Sequence, residues 1–216
     1  MTAAPATRPG RPKEPRETDL QCLAAAEIRF ARSGFEGTSL RDIAADVGVS
    51  SSTVIHHFGT KERLYGMVLD RLGSQLEHFI TAPEKPSVDA IALMFEQFLT
   101  WAIDNPNHAQ LLLRELMENR NRVPHAKRLH FRSLIEKYVE CIRKGQDEGM
   151  FRPIDSQMFS LYTFGAITHF AAAVPTTARL LDLKEEETVA RFRLTLRENI
   201  TAMLVDTGKA TPNHGL

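Results

Sequence analysis

The stretch Thr38–Leu64, TSLRDIAADVGVSSSTVIHHFGTKERL, decides how the rest of the chain is read. Ser39 stands three residues before Asp42, close to the pairing of a capping box, and opens a short helix over about Ser39–Ala45. Gly48 then supplies the backbone freedom for a sharp turn. Ser50 is placed to cap a second short helix, leaving its first amides available to an anion. Ala44, four residues before the glycine, is small enough for the two helices to approach. Ile43, Val47, Val49 and Val54 are the apolar positions that would hold the pair against its neighbours. This spacing is what a helix-turn-helix requires.

Working outward, the segment Glu17–Phe35 is Ala-rich and helical in period, with Leu20, Leu23, Ala24, Phe30 and Ala31 at helical spacings, and it stops at Gly34. A longer helix is predicted over about 60–80. After Pro83–Pro86, residues Val88, Ile91, Ala92, Phe95, Phe98, Leu99 and Ala102 follow the pattern of an amphipathic helix. Asn105 and Pro106 end it and begin another, through Leu112, Leu113 and Leu116. Pro124 suits the first turn of a long helix in which Phe131, Leu134, Ile135, Tyr138 and Ile142 share one face. Two more helices are expected, over about 155–173 and 185–205. No segment alternates with period two, so the fold class is all-α. It divides into a flexible basic arm (1–16), a three-helix head (17–64) joined by the helix 60–80, a helical body (84–206) and a flexible tail (207–216), about nine helices in all.

Bulk composition excludes more than it assigns. The chain has 216 residues, 43% of them hydrophobic and 25% charged, with 27 cations against 27 anions, as expected of a globular protein with a real core. Cys22 and Cys141, the two cysteines, form neither a disulfide framework nor a metal-binding pair. No signal peptide or membrane span is recognisable, which points to the cytoplasm and to no membrane partner. His125 and His130 are five apart rather than at the spacing that shares a helix face, and His56 and His57 are adjacent. No nucleophile elbow, zinc-protease, phosphate-loop or paired-acid motif is present. No catalytic residue, metal or cofactor is therefore assigned.

Across about Leu20–Leu64 the sequence resembles the TetR family of regulators, through Ala25, Ala26, Phe30, Ala31, Gly34, Phe35, Thr38, Ile43, Ala44, Gly48, Val49, Ser50, Thr53, His57, Phe58, Lys61 and Leu64. The resemblance implies that the helix of about Ser51–His57 enters the DNA major groove, with Ser51, Ser52, Thr53, Ile55 and His56 facing the duplex. Thr38, Ser39 and Lys61, at helix starts, are expected on phosphate, and Ser50 beside them. Hydroxyls serve phosphates or base edges, and Ile55 can meet a thymine methyl. The family commonly carries Tyr at the position of Ile55 and a basic or small residue at that of Ser51, so this chain departs there. His57 has two readings, DNA contact or packing beside Phe58. The arm RPGRPK, with Arg8, Arg11 and Lys13, resembles an AT-hook suited to a narrow minor groove; the alternative is a solubilising tail.

A lone recognition helix reads too few bases, and two-fold dimers solve this by reaching successive major grooves. Residues 156–173, SQMFSLYTFGAITHFAAA, are apolar around most of their circumference, and Val189, Phe192, Leu196, Ile200 and Met203 give the last helix one stripe. These two helices are either monomer core or, as the resemblance implies, a four-helix homodimer interface. Phe95, Phe98, Trp101, Leu112, Leu116, Met117, Tyr138, Phe164 and His169 are candidates to line a small-molecule pocket, with plain core as the alternative for each. His169 is read as a satisfied buried histidine rather than a ligand partner, and Arg114–Glu115 as a solvent-facing pair. The resemblance implies a small, hydrophobic effector whose binding releases a repressor from a pseudo-palindromic double-stranded operator. The competing reading is an architectural DNA-binding protein without an effector.

Overall fold

The computed structural model describes residues 17–118 and 131–205. Among them are nine helices and no strand: α1 (Glu17–Ser33), α2 (Leu40–Val47), α3 (Ser51–Phe58), α4 (Lys61–Phe79), α5 (Val88–Asp104), α6 (Pro106–Glu118), α7 (Phe131–Asp147), α8 (Ser156–Leu180) and α9 (Glu185–Leu204). The arm with Arg8, Arg11 and Lys13, the tail 207–216 and the expected helix start at Pro124 lie outside the described residues.

The short helices of the head are defined by their ends. At α2 the capping box is complete: the Ser39 hydroxyl accepts from the Asp42 amide, and the Asp42 carboxylate accepts from the Ser39 amide. Gly48 ends α2 at φ 74°, ψ 27°, in the left-handed region, and α3 can start two residues later. Ser50 caps α3 and Thr60 caps α4 through side-chain acceptors. Phe30, Phe35 and Tyr65 form a ring cluster with centroids 4.9–6.1 Å apart, so the first turns of α4 complete the head's core. Ile43, Val54, Phe58 and Leu64 are buried around it.

In the body, α5 lies centrally, against α4, α6, α7, α8 and α9. Its buried face meets Tyr138 of α7 and Phe159 and Phe164 of α8. Three polar residues buried in α8 are satisfied within the helix: Ser160, Thr163 and Thr168 donate to the carbonyls four residues back, at 2.7–2.9 Å. Gly145 answers a packing demand, since a Cβ there would lie 2.1 Å from the Phe151 ring. Arg197 of α9 reaches Asp89 at 2.6 Å and Glu96 at 3.0 Å, and Arg193 reaches Thr100, tying α9 along α5.

Three expectations are corrected. α8 continues past residue 173 to Leu180, through Pro175. A proline costs a helix one internal bond, and the surrounding contacts of Val174 and Ala178, both buried, keep the segment helical. Arg114 and Glu115 are not a solvent-facing pair. Glu115 is buried and accepts a hydrogen bond from the Tyr65 hydroxyl at 2.5 Å, while Arg114 donates to the Ala31 and Arg32 carbonyls at the end of α1. His169 is not buried; it lies on the exposed face of α8.

Candidate nucleic-acid interface

The two faces of α3 are chemically distinct. Val54 and Phe58 are buried against the head, whereas Ser52, Ile55 and His56 are exposed and Ser51 and Thr53 half-buried. Ile55 is 52% exposed, a bare branched side chain in the middle of the outward face. The helix contains no acidic residue. At its start the Ser50 hydroxyl lies 2.7 Å from that of Ser52, 2.8 Å from that of Thr53 and 3.1 Å from the Thr53 amide. These hydroxyls form one linked row beside the positive end of the helix dipole, an arrangement that favours an oxygen anion.

The flanking charges lean the same way. Both acids of α2 are engaged: Asp42 by Ser39, and Asp46 by a two-pronged pair with Arg29 of α1, both contacts at 2.6 Å. Hydrogen bonding to Ser39 holds the Asp42 carboxyl below the usual carboxylate range, and the Arg29 guanidinium does the same for Asp46. Arg41, in the first turn of α2, and Arg63, in the first turn of α4, are exposed, and neither has an ion pair among the described residues. Sequence reasoning missed both; their places in first helical turns flanking α3 were the available signal.

Other expected contacts are placed differently. Thr38, expected on phosphate, is 3% exposed, and its hydroxyl donates inward to Gly34 at 2.8 Å and Arg29 at 3.2 Å. It closes the loop between α1 and α2, and this corrects that expectation. Lys61 spends its ammonium on the Phe35 carbonyl at 2.9 Å, 4.2 Å from the Phe35 ring centroid. His57 sits 2.9 Å from Asp19 of α1 and its ring tilts against that of Phe58. Ser39 remains exposed at the rim.

Of the expected pocket residues, Phe95, Phe98, Tyr138 and Phe164 are packed ring against ring at 4.5–5.5 Å, with the Tyr138 hydroxyl donating to the Met94 carbonyl. Burial pushes the Tyr138 phenol well above its usual range. These four, and Leu112, are buried. Met117 is 70% exposed and His169 faces outward, so neither lines the interior. The Leu116 side chain lies outside the described residues. Trp101 lines a groove.

The comparisons with known proteins bear on the head most directly. Residues 23–68 match the model of the bacterial regulatory proteins of the tetR family. Those residues form a TetR-type head. It is 44% identical over 81 residues to the HTH-type transcriptional repressor Rv3405c of Mycobacterium tuberculosis, a match covering 37% of this chain and 43% of that relative. The chain thus spans less than half the length of that group of relatives. It is 26% identical over 172 residues to the HTH-type transcriptional repressor SCO4008 of Streptomyces coelicolor, covering 78% of this chain and 85% of the relative. Its TetR-type fold is also that of a tetR-family regulatory protein from Rhodococcus RHA1, with TM-score 0.69, 21% identity and coverage of 89% and 100%. These relatives carry the names of regulators, not of enzymes.

Among the described residues no three His, Cys, Asp or Glu side chains gather as a metal site, and no helix is long and apolar enough to cross a membrane.

Proposed function

We propose that this chain is a DNA-binding transcriptional repressor, working in the cytoplasm as a homodimer that lays α3 of each protomer in the major groove of a pseudo-palindromic operator. The observation that carries the reading is the outward face of α3. Ser52, Ile55 and His56 stand free there, on a helix without acids whose opposite face is locked into the head. Ile55 and His56 are placed to read base edges, while the Ser50–Ser52–Thr53 hydroxyls, Ser39, Arg41 and Arg63 flank them as phosphate contacts. Dimerisation through α8 and α9 sets the half-site spacing, and a small effector in the body shifts that spacing and releases DNA.

Selection of bound sequences from random duplexes by the full chain tests this. Two inverted half-sites about one helical turn apart are expected. Ile55→Ala and His56→Ala should relax base preference, whereas Arg41→Ala and Arg63→Ala should weaken all sequences alike and reduce the salt slope by about one each. Failure to enrich any sequence at physiological salt would end the regulator reading. The ring-packed centre around Phe95, Tyr138 and Phe164 favours one competing reading, an architectural protein without an effector. That reading keeps DNA binding and excludes ligand-driven release.

A further inference from the structure

Between the C-terminal half of α4 and the end of α5 lies an open groove of about 600 Å³, within the range of small-molecule sites. Arg71, Ser74, Gln75 and His78 line one side, on one face of α4, and Trp101 and Asn105 line the other, with Phe79 at one edge. Among the described residues the lining contains a guanidinium and no carboxylate. The Nη1 of Arg71 is enclosed, and among the described residues it has no hydrogen-bond partner. A desolvated donor without an acceptor is costly, more so when it belongs to a charged group. The neighbouring polar groups are already ordered: the Ser74 carbonyl lies 2.7 Å from His78 Nδ1, and Asn105 Nδ2 donates to the Trp101 carbonyl at 2.8 Å. The indole of Trp101 and the half-exposed ring of Phe79 supply apolar surface beside this charge.

We infer that this groove binds a small carboxylic acid with an apolar body, its carboxylate on Arg71 and its body against Trp101 and Phe79. A planar carboxylate can accept two parallel bonds from a guanidinium, and it supplies the acceptor that Nη1 lacks. This gives the effector of the proposed repressor a chemical class, an anionic amphiphile rather than a purely hydrophobic molecule, and it rests on that reading for its regulatory meaning. The location suits the role. The groove is built on α4, whose first turns belong to the head. Its floor, Trp101, stacks at 5.1 Å on His108, whose Nε2 lies 2.6 Å from Glu27 of α1.

Trp101 is the sole tryptophan of the chain, so its emission reports on the groove directly. Full-length protein is titrated with 3-phenylpropionate, decanoate and salicylate, and with the neutral amide of each, while Trp101 fluorescence and the melting temperature are followed. A saturable change is expected with at least one acid, tenfold or more weaker with its amide and weakened likewise in Arg71→Gln. Arg71→Lys should retain part of the affinity, because it keeps the charge but not the fork. Circular dichroism shows whether each variant is folded, and Ser74→Ala provides a second, milder change to the same wall. Equal affinity for acid and amide, an Arg71→Gln variant that binds the acid as tightly as wild type, or no saturable change with any acid overturns the site. Anisotropy of labelled operator in the same samples separates the two readings. Acids that bind with this selectivity and leave DNA bound support the site and sink effector release. Operator binding that no acid touches, with no acid in the groove, sinks the site and leaves the DNA-binding reading standing.

Discussion

At the scale of single residues, the head depends on a few positions whose demands are separable. Gly48 sits at φ 74°, and a Cβ there would meet nothing within 4 Å. The cost of Gly48→Ala is thus backbone strain alone, about 1–2 kcal/mol, and Gly48→Asn should cost less because asparagine tolerates this region. Urea unfolding measures both, and a cost well beyond that range would mean crowding instead. Thr38 makes the opposite demand, for a hydroxyl in a buried place. Thr38→Val should destabilise the head by about 1–3 kcal/mol by stranding the carbonyls it serves, with no change in the salt slope of DNA binding. A lowered slope would restore Thr38 as a phosphate contact. Asp42 and Asp46 are both held below the usual carboxylate range, by Ser39 and Arg29 respectively. The unfolded chain therefore binds these protons first. Their contribution is fully present above a pH of about 4, the ordinary carboxylate value, and is lost as pH falls through the lowered values. Asp46→Asn should flatten the loss of urea resistance between neutral and acid pH, and an unchanged profile would show that the Arg29 pair adds nothing.

At the scale of elements, α6 shows both the reach of sequence reading and where it stops. The pair Asn105–Pro106 marked its start, and the apolar period through Leu112 marked its axis. Likewise the cap Ser39, Gly48 and the spacing of Ile43, Val49 and Val54 made α2 and α3 legible to within two residues. Periodicity tells that a helix has a buried face, but not what the neighbouring element offers to a polar side chain on it. Arg114 and Glu115 looked solvated for that reason. They are enclosed because α1 presents its free C-terminal carbonyls to Arg114, and α4 presents the Tyr65 hydroxyl to Glu115. His169 failed the other way, since an apolar helix was read as buried all round although one face is uncovered. The Arg71 groove was invisible because it needs α4 and α5 side by side. Through His108–Glu27, Arg114–Ala31 and Tyr65–Glu115, α6 ties body to head by polar contacts, which permit discrete rearrangement better than a greasy seam would. A double-mutant cycle of Tyr65→Phe and Glu115→Gln should give a coupling of about 0.5–3 kcal/mol. Additive losses would show that the 2.5 Å contact is incidental.

At the scale of the whole molecule, the surface poses a problem that a single copy leaves unsolved. Met158, Leu161 and Tyr162 of α8 and Leu194 and Met203 of α9 are all exposed, and Tyr162 and Met203 line a narrow cleft between these helices. Small residues, Gly165 and Ala166, lie among them, so another backbone can come close. Scattered apolar side chains on a surface require no explanation, but a band along two adjacent helices does. On α8 the chain buries Phe159, Thr163, Phe164 and Ile167 inward and leaves Met158, Leu161, Tyr162 and Gly165 bare. The helix is apolar all round because two different partners cover it: α5 with its neighbours inside, and in our reading the same face of a second copy outside. A two-fold contact repeats every substitution, so one charge per chain places two in the interface. Leu161→Glu with Leu194→Glu should therefore convert a dimer to a monomer by sedimentation equilibrium, with little loss of thermal stability beyond that due to dissociation. Because each protomer offers one α3, the monomer should lose most of its operator affinity while retaining weak, salt-sensitive binding to any duplex. A wild-type chain that sediments as a monomer at micromolar concentration would remove this face from the dimer. The half-site spacing would then have to come from DNA that brings two separate heads together.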